Sequence, residues 1–146
     1  VVVTLLGSRR STNDTRPEVW KPEAFAQEYA ALLSTLMGAD QGEGASLPLP
    51  RLVLVGVPPR IRGSGAAWGL NAGVANEALP AAVSQVAATM QLLTFDPREE
   101  LDSAACYDQD GVHMSEIGSK RLAQVVHTTL ISAADAAGWP APPPPR

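Results

Sequence analysis

The stretch that most constrains the fold is the run Arg51-Leu52-Val53-Leu54-Val55-Gly56-Val57, which carries no polar side chain after its arginine. Side chains alternate between the two faces of a strand, so this run is apolar on both faces. Strands of that kind are typical of the centre of a parallel sheet that helices cover on both sides. Pro58-Pro59 should end the strand, because proline has no backbone N–H for a neighbouring strand.

Two further apolar runs and three amphipathic stretches complete this pattern. Residues 1–6 predict a buried first strand, and residues 91–95 predict a short third strand. Pro22 suits the first turn of a helix, and Gly38 suits its C-terminal cap; Pro80 lies either in the first turn of the second helix or at a kink in it. The three predicted helices carry these apolar stripes: Phe25, Tyr29, Leu32, Leu33, Leu36 and Met37; Leu79, Val83, Val86, Ala87 and Met90; and, from an N-cap at Ser115, Ile117, Leu122, Val125, Val126 and Leu130.

The order strand, helix, strand, helix, strand, helix predicts an α/β fold, a three-layer α/β/α sandwich around a parallel sheet. Three strands are few for such a sheet, which usually has about five. We therefore expect residues 1–138 to be the C-terminal portion of one domain whose first strands and helices precede Val1, and residues 139–146, rich in proline, to form a disordered tail. The glycine-rich segment from Arg60 to Gly73 is predicted to be a mobile loop over a cleft.

Composition excludes several classes of function. With 11 basic and 15 acidic residues and a net charge of −4, the 146-residue chain has no basic patch for nucleic acid. Its apolar runs are too short for a membrane span. One cysteine, Cys106, and two distant histidines, His113 and His127, leave neither an internal disulfide nor a plausible zinc site.

The motif with the most chemical content is Asp110-Gly111-Val112-His113, directly before the third helix. An aspartate and a histidine three residues apart in a turn can lie side by side, so that the carboxylate orients the imidazole and stabilises its charged form. The competing interpretation is an ordinary helix-entry turn with a solvated carboxylate and a surface histidine. Asn13 lies in the loop after the first strand, and the motif lies in the loop after the third. The carboxyl ends of parallel strands meet at one edge of the sheet, so these residues should share that edge.

These motifs resemble those of the SGNH (GDSL-type) hydrolase superfamily. Residues 1–7 followed by Thr12-Asn13-Asp14-Thr15-Arg16-Pro17 and Trp20 look like its third conserved block, and Asp110-Gly111-Val112-His113 with Gly118 looks like its fifth. Within the superfamily, the chain looks most like sialate O-acetylesterase-like and other carbohydrate-acting acylhydrolases. The resemblance extends from residue 1 to about residue 130.

The resemblance implies a serine esterase or acylhydrolase that needs no metal or organic cofactor. A serine activated by His113 would attack an ester carbonyl, Asp110 would hold the imidazole, and Asn13 would donate to the oxyanion. The implied substrate is a small acyl ester, including O-acetyl groups on a carbohydrate.

Two departures from the family pattern limit this expectation. The Gly-Asp-Ser block that carries the nucleophile and the second block with its oxyanion glycine are missing from the chain, and Ser8-Arg9-Arg10-Ser11 looks like an insertion before Asn13. Ser64, Ser103 and Cys106 are poor replacements for the nucleophile. We therefore expect the isolated chain to be inactive. Because the first strands of the sheet are also expected to be missing, we expect the chain to self-associate through an exposed sheet edge. The alternative is a catalytically inactive module with the same fold that binds a partner or serves a structural role.

Overall fold

The computed structural model describes residues 1–5, 20–38, 50, 52–62 and 71–139. Three strands, β1 (Val2–Leu5), β2 (Val53–Gly56) and β3 (Leu93–Phe95), form one sheet in the order β1-β2-β3. Both pairings are parallel. The predicted α/β fold with a central parallel strand is therefore confirmed, and every residue of β2 is buried, as its two apolar faces require.

Two helices cover one face of the sheet. Helices α1 (Pro22–Leu36) and α2 (Leu79–Thr89) pack on the side of β2 that carries Val53 and Val55. Burying these apolar side chains against one another is the main stabilisation of this layer. The buried residues of this core are Tyr29, Leu33, Val53, Val55, Leu79, Val83, Val86 and Ala87.

Helix α1 follows its sequence signals closely. Pro22 lies in its first turn, and Gly38 adopts the left-handed conformation (φ 82°) just beyond its end, as predicted. The expectation for Leu32 is wrong: this side chain is 42% exposed, whereas Leu33 and Tyr29 are buried. The helical stripe is wider than the surface that the sheet and α2 cover.

The second helical stretch begins earlier than the sequence indicates. Residues 72 and 73 are already helical, and a π-helical segment (Val74–Ala78) leads directly into α2. Leu79 N–H bonds to the carbonyl of Val74, five residues back. Pro80 has no N–H to donate, so the ordinary four-residue spacing is interrupted next to it. The prediction of a loop extending to Gly73 is therefore wrong at its C-terminal end, and residues 63–70 of that loop lie outside the described residues.

The opposite face of the sheet is only partly covered. The register places Leu5, Gly56 and Phe95 in one row across the strands. A side chain at Gly56 would overlap both Leu5 and the ring of Phe95, so glycine makes room for them. In the neighbouring row Leu54 is buried, whereas Val3 is 38% and Leu93 48% exposed. The prediction that the first strand is buried is therefore wrong.

Helix α3 (Glu116–Ala136) packs against a small buried cluster near its N-terminal end. Leu122 packs against a small cluster formed by Leu101, Cys106 and Tyr107, next to the 3₁₀ turn Ala104–Cys106. Ile117, expected to point inward, is 49% exposed, and Gly118 is the helix's one buried residue. Among the described helices, none is long and apolar enough to cross a membrane.

Candidate active site

The Asp110–His113 motif forms a tight turn closed by backbone hydrogen bonds. Tyr107 and Met114 form an isolated antiparallel bridge at its base. Inside it, Asp108 N–H donates to the His113 carbonyl at 2.9 Å, and Gly111 N–H donates to the Asp108 carbonyl at 2.9 Å. Gly111 has a φ of 68°, a left-handed conformation that glycine adopts without the strain of a side chain.

Asp110 holds this turn together with both carboxylate oxygens. Its Oδ1 accepts the backbone N–H groups of Val112 and His113, each at 2.9 Å. Its Oδ2 lies 2.5 Å from Nδ1 of the His113 ring. The His113 side chain, followed by the two backbone N–H groups, lowers the pKa of Asp110 to about 2. Asp110 is therefore ionised at neutral pH and can only accept hydrogen bonds.

This contact fixes the chemistry of the His113 ring. An ionised carboxylate at Nδ1 requires the proton on Nδ1, which places the lone pair of neutral imidazole on Nε2. The ring is 58% exposed and the Asp110 side chain 26% exposed, so the imidazole projects from the turn while its orienting carboxylate lies deeper. The arrangement can take a proton at Nε2 and stabilise the resulting imidazolium.

The start of α3 anchors one side of the turn. Ser115 caps the helix, because its Oγ accepts the N–H of Gly118 at 3.2 Å and donates to the carbonyl of Ala105 at 2.6 Å. The predicted N-cap role of Ser115 is confirmed. Gly118 lies against the carbonyl of Cys106, where a side chain would not fit. His113 therefore lies three residues before the first residue of a helix whose N-terminus is packed closely.

The segment after β2 anchors the other side. Arg62 N–H donates to the Gly111 carbonyl at 2.7 Å. Ile61, 6% exposed, packs with Ala75 and Val112. The side chain of Asn76 in turn bonds to both backbone groups of Ile61. Sequence reasoning missed Asn76 and Ile61; the sole signal was a polar residue within an apolar helical stretch.

An exposed charge cluster lies beside this anchor. The guanidinium groups of Arg60 and Arg62 lie 3.8 and 3.5 Å from Oδ1 of Asp102. Arg62 also donates to the Asp102 backbone carbonyl. Burial raises the pKa of the neighbouring Tyr107, and the charge of Arg62 opposes that shift.

Asn13, the third predicted site residue, and the residues rejected as replacements for the nucleophile are divided between described and undescribed parts of the chain. Asn13, Ser8, Ser11 and Ser64 lie outside the described residues. Ser103 caps the 3₁₀ turn through the N–H of Ala105. Cys106 is buried, with the Arg121 guanidinium 3.5 Å from its sulfur. Within the described ranges, no three His, Cys, Asp or Glu side chains are grouped as metal ligands would be.

Comparison with solved structures identifies the architecture. The carbohydrate acetylesterase Est24 from Sinorhizobium meliloti superimposes with a TM-score of 0.66 at 23% identity, over 90% of this chain and 60% of that protein. An aryl esterase from M. smegmatis gives 0.64 at 22% identity, with the same coverage of both chains. A lipase/acylhydrolase from Enterococcus faecalis gives 0.63 at 17% identity, over 88% of this chain and 60% of that protein. The chain has the fold of these ester hydrolases.

The superposition covers only part of each solved protein. The chain spans about 60% of the length of each of these proteins. At such identities the comparison shows the fold alone. No family model matches the sequence, and no curated protein matches it either.

Proposed function

We propose that this chain carries the general base of a serine ester hydrolase, with His113 as the base and Asp110 as its orienting carboxylate. One observation carries the proposal: Nδ1 of His113 lies 2.5 Å from a carboxylate that also accepts two backbone N–H groups. A solvated surface aspartate does not require that convergence of donors. The fold shared with acylhydrolases and esterases supports the same reaction class.

In the proposed reaction the nucleophile is a serine hydroxyl from a segment outside this chain. His113 Nε2 takes the hydroxyl proton while the serine oxygen bonds to the ester carbonyl carbon, and the Asn13 amide donates to the resulting oxyanion. The C–O bond to the alcohol then breaks, and His113 returns the proton to the leaving oxygen. Water hydrolyses the acyl-enzyme by the same proton transfers, so the chemistry uses no metal or organic cofactor.

The proposed substrates are small acyl esters, with acetyl groups on carbohydrates as the leading class. A carbohydrate acetylesterase and an aryl esterase share this fold, which supports acyl esters in general and acetyl esters in particular. The turn leaves the His113 ring largely exposed, in keeping with a site that a polar sugar ester reaches from solvent.

The proposal includes the organisation of the chain. Residues 1–138 would act as the C-terminal portion of one SGNH-type domain, with residues 139–146 as a tail. β1 is an edge strand of the described sheet. Val3 within it and Val1 just before it are exposed apolar residues. An edge strand without charged side chains pairs readily with another strand, so we propose that isolated copies associate there.

The test begins with the coding sequence upstream of Val1, where a Gly-Asp-Ser turn after a strand is expected. The longer protein should hydrolyse 4-methylumbelliferyl acetate, and His113→Ala should lower kcat by about a hundredfold to ten-thousandfold. His127→Ala is the matched control, because His127 lies exposed on α3, away from the turn, and its loss should leave kcat unchanged.

Residues 1–146 alone should show no turnover above background. Activity of this chain that His113→Ala abolishes would refute the external nucleophile. A longer protein without the Gly-Asp-Ser turn and without esterase activity would instead identify a non-catalytic module with this fold.

A further inference from the structure

We propose that Asn76 is a positioning residue for the Asp110–His113 pair, acting through the backbone of Ile61 and Arg62. The catalytic meaning of this role rests on the proposed function, whereas the structural coupling itself can be measured in the chain without any enzymatic activity. Asn76 lies 34 residues before Asp110 in sequence. Three consecutive contacts connect the two residues.

The first contact joins the π-helical segment to the loop after β2. Asn76 Oδ1 accepts the N–H of Ile61 at 2.7 Å, and Asn76 Nδ2 donates to the carbonyl of Ile61 at 2.9 Å. Both backbone groups of one loop residue are thus bound by one side chain, much as a neighbouring strand would bind them. An amide suits this pairing because it carries an acceptor oxygen and a donor nitrogen side by side, one for each backbone group of Ile61.

The second contact joins that loop to the turn. With its backbone held, Ile61 places its side chain against Val112 in a small buried cluster. The next residue, Arg62, donates its N–H to the Gly111 carbonyl at 2.7 Å. Gly111 also lies so close to the Arg62 carbonyl that no side chain would fit between them. The backbones of Arg62 and Gly111 are therefore in contact both through this hydrogen bond and at the Arg62 carbonyl.

The third contact lies within the turn. Val112 and His113 donate their N–H groups to Asp110 Oδ1, and the same carboxylate holds the His113 ring through Oδ2. A shift of Gly111 and Val112 would move the two donors that orient the carboxylate. Loss of the Asn76 contacts should therefore change the hydrogen bond between Nδ1 of His113 and the Asp110 carboxylate.

The irregular helix explains why Asn76 faces the loop. Asn76 is the middle residue of the π-helical segment Val74–Ala78. One extra residue in a turn changes the direction of a side chain by about 100° relative to a regular α-helix. π-helical turns of this kind occur frequently at functional sites, and here the segment aims an amide at the loop that supports the turn.

The experiment compares Asn76→Ala with Asn71→Ala in the complete 146-residue chain. Asn71 is a matched control because its Oδ1 accepts the N–H of Val74 at 2.9 Å, so it caps the same helical stretch, whereas the side-chain hydrogen bonds described for Ile61 both come from Asn76. Two signals are recorded at neutral pH by NMR: hydrogen exchange of the Arg62 amide and the Nδ1–H resonance of His113.

Asn76→Ala should accelerate exchange of the Arg62 amide by about threefold or more, because it removes both hydrogen bonds to Ile61 and the net contribution of each is worth about two- to tenfold in an equilibrium constant. It should also shift or broaden the His113 Nδ1–H resonance. Asn71→Ala should change neither signal. If Asn76→Ala leaves the Nδ1–H resonance unchanged, or if Asn71→Ala alters it equally, the proposed coupling is refuted.

Asn76→Asp keeps the test decisive if the alanine variant does not fold. It retains the shape of the side chain and the acceptor for Ile61 N–H but replaces the donor to the Ile61 carbonyl. The same direction of change at Arg62 and His113 is expected, and wild-type signals would overturn the proposal. In the longer protein, a fall in kcat for Asn76→Ala would link the coupling to catalysis; NMR changes without esterase activity would refute the proposed function while leaving the coupling intact.

Discussion

Replacement of Gly111 by alanine tests how firmly the turn is held against the loop after β2. Two effects should add. A side chain at a φ of 68° costs about 1–2 kcal/mol, because the left-handed region crowds Cβ against the backbone. The added methyl would also overlap the carbonyl of Arg62, which is backbone and does not move aside as a flexible side chain would. Overpacking of this kind typically costs about 1–3 kcal/mol.

Gly138→Ala separates the two effects. Gly138 has a φ of 67° and nothing within 4 Å of the site of an added Cβ, so this variant carries the conformational cost alone. We expect a loss of unfolding free energy of about 1–2 kcal/mol for Gly138→Ala and about 2–5 kcal/mol for Gly111→Ala.

The assay is urea unfolding followed by circular dichroism at 222 nm, with both variants and the parent chain measured at one protein concentration. The difference between the variants, rather than either value alone, measures the contact with Arg62. Equal losses for the two variants would refute the inference that the turn is pressed against a rigid loop.

Two further predictions concern acidity and association. The Asp110 carboxylate has a folded pKa of about 2, below its unfolded value, so its stabilisation is present above about pH 4 and is lost as the pH falls towards 2. Asp110→Asn should flatten the fall in stability over that range; an acid-unfolding curve of this variant identical to that of the parent chain would contradict the prediction. Val3→Lys should lower the sedimentation coefficient of the associated chain by placing charge beside the β1 edge, whereas Gln27→Lys, at an exposed position of α1, should not.

The sequence was most informative where burial acts on every residue of an element. The run around Leu54 is apolar on both faces, and only a covered, parallel position in a sheet suits it. Ser115 and Gly38 also behave as their local chemistry predicts, since a cap depends on residues within one turn of it.

The errors arise where distant residues decide the outcome. Helical periodicity identifies an apolar stripe on α1 and on α3, but it does not show how much of that stripe a neighbour covers, which is why Leu32 and Ile117 are exposed. Pro80 lies in the first turn of α2, one of the two positions expected for it, but no local signal indicated the π-helical segment that precedes this turn. The Asn76 contact joins residues 15 apart, and no local pattern encodes it.

The geometry of the proposed general base, His113, and of its carboxylate, Asp110, is set by contacts within this chain. Helix α3 holds His113 from one side through Ser115, and the Ile61 segment holds it from the other. If a serine comes from elsewhere in the domain, it meets an imidazole whose orientation is already set. Assembly of the complete site would then require no reorientation of this ring, and that part of the loss of conformational freedom on joining would be avoided.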